Sequence, residues 1–102
     1  MNLHNVTTLT HRRGTWRVQS HYLRDTLNGD QEARAAWHAA FGEAVIVAAN
    51  YKWGGLEVKY TGYHPAFDEL PEGLMEPEYE VTLTKSVEGH TISFTAEWRK
   101  RP

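Results

Sequence analysis

The chain has 102 residues, a formal net charge of −2 and no cysteine. This length corresponds to one domain with a thin core, and the absence of cysteine excludes disulfides, thiolate nucleophiles and thiolate metal sites. A hydrophobic share of 40% and a charged share of 24% indicate a folded protein and not a disordered one. The longest apolar run, residues 44–49, is too short to cross a membrane, and the N-terminus carries no apolar signal segment. We therefore expect a single soluble, cytoplasmic domain over residues 1–102.

The N-terminal quarter of the chain has mixed patterns. Residues 3–10 are rich in β-branched side chains, which predicts a strand. Beyond them, Trp16 and Val18 alternate with polar residues as in a strand, yet Trp16 also shares a helical face with Leu23. Strand and helix therefore both stay open until a short helix, which we predict over residues 20–27.

The segment after that short helix has the strongest helical pattern. Asp30 is a favourable N-cap, and Glu32 places negative charge in the first turn, where the helix dipole stabilises it. The apolar residues that follow form one stripe at helical spacing: Ala33, Trp37, Ala40, Phe41, Ala44, Val45 and Ala48. The pattern predicts a long helix over residues 31–49 with a deeply buried second half.

The next segment predicts a strand and then a loop. Leu56, Val58 and Tyr60 alternate with polar residues, as in a strand with one exposed face. Residues 62–77 are punctuated by glycines and prolines, which predicts a long irregular connection. Loops of this length often carry function.

Residues 78–99 predict a C-terminal β-hairpin. With Glu88 and Gly89 as a two-residue turn, every inward pair of the hairpin is apolar. These pairs are Leu83 with Phe94, Val81 with Ala96 and Tyr79 with Trp98. The same register places Glu80 opposite Glu97, the one unfavourable pair on the outer face.

These elements together predict an α+β fold. It consists of an antiparallel sheet of three to five strands, with the long helix packed on its apolar face and the hairpin at the C-terminus. No motif in the chain is specific for a known family.

Six histidines raise the question of metal or acid–base chemistry. None is spaced from another like a pair of metal ligands. His21 with Asp25, and His64 with Asp68, stand at the spacing at which a carboxylate orients an imidazole on a helix, but no serine is placed locally as a nucleophile. We therefore expect no catalytic residue, no metal and no cofactor, with a small histidine-dependent enzyme as an alternative.

The basic residues form two weak clusters, at residues 11–17 and 99–101. Nucleic-acid binding usually requires a strongly basic face, and this chain has 11 basic against 13 acidic residues. We expect no direct contact with nucleic acid and none with a membrane.

The acidic residues are more concentrated. Between residues 68 and 80 lie six acids and no base: Asp68, Glu69, Glu72, Glu76, Glu78 and Glu80. Leu70, Leu74 and Met75 lie among them. Two interpretations are open: the run presents apolar anchors and steering charge to a basic partner, or the apolar residues close the edge of the core while the acids keep the loop solvated.

An aromatic cluster precedes the acidic run. Trp53, Tyr63 and Phe67 are its candidates for exposure, because aromatic side chains next to glycine are frequent in contact surfaces. The predicted partner-binding residues are therefore Trp53, Tyr63, Phe67, Asp68, Glu69, Glu72, Leu74, Met75 and Glu76.

The sequence favours a small non-enzymatic protein-interaction module. We expect an inhibitor or immunity-type protein, for example one encoded by a mobile element and directed against a host nuclease or defence complex, that binds a basic surface of its protein partner. The alternatives are a ligand-binding domain with an aromatic-lined pocket and the histidine-dependent enzyme. The pattern also leaves room for a homodimer.

Overall fold

The structure, a computed structural model, describes residue 9 and residues 11–102. The elements in chain order are β1 (Arg13–Gln19), α1 (Ser20–Leu27), α2 (Gln31–Phe41), β2 (Val45–Lys52), β3 (Glu57–Tyr63), β4 (Tyr79–Glu88) and β5 (Thr91–Lys100), with a 3₁₀ turn at Trp53–Gly55. The strand predicted over residues 3–10 lies, apart from Leu9, outside this description.

The strands form two antiparallel sheets, which confirms the α+β class and the C-terminal hairpin. The first sheet has the order β1-β3-β2, and the second is the β4–β5 hairpin. The sheets meet where the Thr15 amide donates a hydrogen bond of 2.9 Å to the Pro77 carbonyl and Thr15 bridges Glu78. The hairpin thus starts alongside the outer edge of β1.

The short helix is confirmed, and the ambiguity before it is resolved in favour of a strand. α1 occupies Ser20–Leu27 as predicted. β1 precedes it directly because Trp16 and Val18 pair with Tyr60 and Val58 of β3. The alternation of these residues, and not their helical spacing, decided the conformation.

The predicted long helix is only half correct. Its N-cap is confirmed, since the Asp30 carboxylate accepts a hydrogen bond of 2.8 Å from the Ala33 amide. However, α2 ends at Phe41, and residues 45–49 belong to β2. The physical reason is that Gly42 favours the end of the helix while the β-branched residues 45–47 favour a strand. An apolar run at this spacing does not distinguish a helix from a strand by itself.

The hairpin has the predicted faces but a register shifted by two residues. Its turn is formed by Gly89 and His90, because Gly89 takes the positive φ of 60° that the first position of such a turn requires. The pairs are Leu83 with Ala96, Val81 with Trp98, Tyr79 with Lys100 and Glu80 with Arg99. The predicted Glu80–Glu97 repulsion is therefore absent from this ladder. An even shift keeps each side chain on its predicted face.

Aromatic rings make up most of the core. Trp16 lies at its centre, with ring centroids 5.6–6.0 Å from four others: Phe41, Tyr60, Phe67 and Trp98. These rings come from β1, α2, β3, β5 and the loop before β4. The core is thus formed by segments from the whole length of the described chain.

Candidate interaction surfaces

The loop between β3 and β4, residues 64–78, carries most of the predicted binding residues, and arginines of the N-terminal cluster hold it. Arg12 donates a hydrogen bond of 2.7 Å to the Phe67 carbonyl and lies 3.8 Å from the Glu69 carboxylate. Arg13 lies 3.7 Å from the Glu76 carboxylate. The Leu70 amide also donates to the His11 carbonyl. Residues 11–13 therefore hold the loop on both sides of its tip.

The remaining acids of the run are paired in the same way. Arg17 and Arg101 both contact Glu78, at 2.9 and 3.3 Å, and Lys100 lies 3.0 Å from Asp68. Each pair is partly exposed and contributes little to stability by itself. Together they neutralise most of the charge that the sequence analysis assigned to steering. No sequence signal indicated this, because the paired residues are distant along the chain.

The tip of the loop is different from its flanks. Leu74 is 55% exposed and Met75 is 89% exposed, next to Gly73 with its positive φ of 84°. Glu72 takes part in no ion pair with another described residue. The tip thus presents two apolar side chains and one carboxylate to solvent.

The expectation that Phe67 is exposed is wrong. Its side chain is 0% exposed, and its ring stacks on Tyr79 at 4.1 Å. The Tyr79 hydroxyl accepts a hydrogen bond of 2.9 Å from the Asp68 amide, which holds this part of the loop against the core. Phe67 therefore anchors the loop from below and presents no surface to a partner.

Trp53 and Tyr63 lie at opposite ends of β3. Trp53 is exposed in the turn before β3, with a φ of 56°, beside the exposed Leu56. Tyr63 is half-buried at the other end, opposite Arg13 and Val45, next to the loop. The structure therefore brings Tyr63 to the loop but does not bring Trp53 there.

Strand β2 was not among the predicted surfaces. All of its residues are exposed, and Val45, Ile46, Val47 and Tyr51 are its large hydrophobic side chains. Within the described part of the chain it pairs with β3 alone. This surface was not predicted because residues 45–49 were assigned to the buried half of a helix.

A cleft of about 480 Å³ lies between α1, α2 and the hairpin. Its aromatic lining consists of Tyr22, Trp37, Phe41 and Phe94. Asp25, Asp30 and Glu32 are among its acidic residues. An aromatic-lined pocket is therefore present, but the aromatic residues from 51 to 67 do not line it.

The two histidine–carboxylate pairs do not form hydrogen bonds or ion pairs among the described residues. Asp25 contacts Arg24 at 3.8 Å, and Asp68 contacts Lys100. His64 is buried against Trp98 and Phe67, and its Nδ1 accepts a hydrogen bond of 3.0 Å from the Ala66 amide. Burial lowers the pKa of His64, opposed by the charge of Glu43 and by the backbone of Ala40. This arrangement favours a neutral imidazole that closes a turn.

Residue 9 and residues 11–102 contain no group of three side chains placed to hold a metal ion. In the same part of the chain, none of the helices has the length and apolar character that a membrane span requires. No family model, curated protein or solved structure matches the chain.

Proposed function

We propose that this chain is a non-enzymatic protein-interaction module that acts by occupying a surface of its partner, as inhibitors and immunity proteins do. The contact that we propose is the tip of the loop at residues 72–75. The observation that supports it is the exposure of Leu74 and Met75 on a loop whose flanks are held by ion pairs and hydrogen bonds.

A loop held in this way suits binding because little conformational freedom is lost when a partner contacts it. Arg12 and Arg13 fix the segment before and after the tip, and Phe67 anchors its base in the core. Leucine and methionine at the tip can enter an apolar groove, and methionine adapts to irregular surfaces. The acids therefore support the loop from within, in place of the steering role expected for the whole run.

The partner that we propose is a protein with an apolar groove bordered by basic residues. Glu72 would face that border, since it lies at the tip and has no ion-pair partner among residues 11–102. A nuclease or another nucleic-acid-binding protein offers such a basic border. Its identity is open to a direct search by affinity purification with the full chain.

The kinetics of the purified complex test the proposed contact. Replacing Leu74 and Met75 together by Ala should speed dissociation about tenfold or more, because apolar anchors hold a formed complex. Glu72→Lys should slow association at low salt with a smaller effect on dissociation. Leu27→Ala, at another exposed leucine, which lies in α1, is the control. Wild-type rates for both loop variants, with an unchanged circular dichroism spectrum, would refute the loop contact.

A second candidate function is supported by the cleft. Its volume of about 480 Å³ falls in the range of small-molecule sites, and its lining combines aromatic rings with a few carboxylates. Native mass spectrometry of the purified chain would reveal a co-purifying small molecule. Loss of that molecule in a Trp37→Ala variant that remains folded would place it in the cleft.

A further inference from the structure

Strand β2 forms an unusual edge of the three-stranded sheet. Residues 44–51 contain no charged side chain, although exposed edge strands usually carry charges or prolines that prevent them from pairing with other strands. The other edge, β1, has Arg13 and Arg17 and is contacted by the start of β4. Among the described residues, the β2 edge therefore lacks the charges and prolines that usually protect an edge strand, although a β-bulge interrupts its pairing with β3 between Ile46 and Ala48.

The inner face of β2 continues the face of the sheet that forms the core. Ile46, Ala49 and Tyr51 lie beside Gly62, Tyr60 and Val58, the inward residues of β3. Tyr60 and Val58 are buried, whereas Ile46 is 41% exposed and Tyr51 is 71% exposed. The core face of the sheet thus extends past the region that α2 and the hairpin cover.

The radius of gyration agrees with a sheet whose β2 edge is left uncovered. The value for this chain is 14.6 Å, while a compact domain of this length has about 13 Å. A chain with uncovered apolar strand surface gains free energy when another surface covers it.

We propose that a second copy of this chain covers β2, through antiparallel pairing of the two β2 strands about a two-fold axis. Antiparallel pairing of identical strands about such an axis joins the same surface patch of both copies and closes the assembly as a dimer. With Ala48 near the axis, the small side chains of Ala48 and Ala49 lie at the centre of the paired strands.

Charge complementarity at the ends of β2 favours the same arrangement. Glu43 precedes the strand and Lys52 ends it, with an uncharged segment between them. Antiparallel pairing brings Glu43 of one copy toward Lys52 of the other at both ends. Within one chain, the ends of β2 are roughly 23 Å apart, beyond the screening length of about 8 Å at physiological salt. An electrostatic coupling between these two residues would therefore report contact between copies.

The first test is sedimentation of the full chain from low micromolar to near-millimolar concentration. We expect a monomer–dimer equilibrium that Ala48→Lys weakens by about tenfold or more, because the two-fold axis brings the two new charges together. Ser86→Lys, an exposed position of β4 away from this edge, is the control and should leave the equilibrium unchanged. A monomer at all concentrations overturns the proposal and leaves β2 to a different strand, and an open-ended series of larger assemblies overturns the closed dimer.

The second test uses charge reversal and does not depend on how well Ala48→Lys folds. At low salt, Glu43→Lys and Lys52→Glu should each weaken the dimer several-fold, and the double variant should restore it to near the wild-type dissociation constant. A dimer that ignores both single reversals and Ala48→Lys uses another surface and refutes the proposal. Single losses without recovery in the double variant refute the antiparallel register. Thermal melts of each variant show that the folded state is retained.

Discussion

The two edges of the three-stranded sheet differ in what covers them, although both strands pair with β3 over its full length. β1 is covered on its inner face by Phe67, Trp98 and Phe41, and its outer edge contacts the start of β4. β2 has neither cover, and each of its residues is exposed. The difference shows that a strand can form in this fold without being buried. Both strands form because they pair with β3, but only β1 is buried, because the loop before β4 and strand β5 pack against it.

The largest expected effect is at the covered edge. Trp16→Ala should lower the free energy of unfolding by about 3–5 kcal/mol, because it leaves a cavity among four aromatic rings. Urea denaturation monitored by circular dichroism measures this loss. A loss in free energy of unfolding below about 1 kcal/mol would show that β1 is no better covered than β2.

Alanine substitutions at two glycines that pair across β1 and β3, Gly14 and Gly62, test the two edges separately. A Cβ at Gly14 would lie 2.7 Å from the Tyr79 ring and 2.9 Å from the Phe67 ring, so Gly14→Ala should cost about 1–3 kcal/mol and loosen the start of β4. Its cross-strand partner Gly62 faces the other edge, where a Cβ would overlap the Val45 carbonyl oxygen. Hydrogen exchange should therefore accelerate at β4 in the first variant and at β2 in Gly62→Ala. The same protection pattern in both variants would contradict this assignment.

A smaller effect on stability is expected from protonation of His64, the first residue of the loop whose Phe67 packs against β1. Burial lowers its pKa in the folded state, so the unfolded chain binds the proton at a higher pH. The contribution of the neutral His64 imidazole to the free energy of unfolding is therefore complete above the ordinary pKa of 6.5. It is lost as the pH falls through the lower pKa of the folded state. Protonation also removes the acceptor for the Ala66 amide.

Urea denaturation at several pH values between neutrality and about pH 5 measures this dependence. His64→Gln should flatten the decline in stability relative to the wild type, and His38→Gln, at an exposed histidine of α2, should not. If the free energy of unfolding falls equally with pH in the wild type and in His64→Gln, protonation of His64 does not destabilise the fold.

The smallest effect is expected at the bare edge. Ile46→Ala, measured at low concentration where the chain is monomeric, should cost less than about 1 kcal/mol, because the side chain is only partly covered. The same variant should weaken the dimer at higher concentration if β2 pairs with a second copy. A large loss in the monomer would show that β2 is covered after all.

Local patterns were sufficient for much of this fold. The N-cap at Asp30, the short helix and the faces of the hairpin depend on near neighbours in sequence, and each is confirmed. The hairpin register was wrong by two residues because Gly89 fits either position of a two-residue turn. The faces were unaffected because the side-chain period of a strand is two.

Features that depend on distant residues could not be predicted in this way. The end of α2 was placed too late because Val45 and Ala48 fit both a helical stripe and a strand. The burial of Phe67 depends on Tyr79 and Trp98, which reach it only after the chain has folded back. The ion pairs of the acidic run involve arginines from both ends of the described chain. Of the two candidate surfaces, the loop tip was therefore predicted from the sequence and strand β2 was not.

The central position of Trp16 has a consequence for the order of events during synthesis. Trp16 belongs to the first described strand, and Trp98, whose ring lies 5.7 Å away, belongs to the last. The core therefore cannot close while β5 is still within the ribosome, and the earlier strands emerge with their apolar faces uncovered. Contacts of such long sequence separation also slow folding, because a long loop must close before they form. Emergence of β5 from the ribosome, and not the formation of the helices, sets the moment at which this core can close.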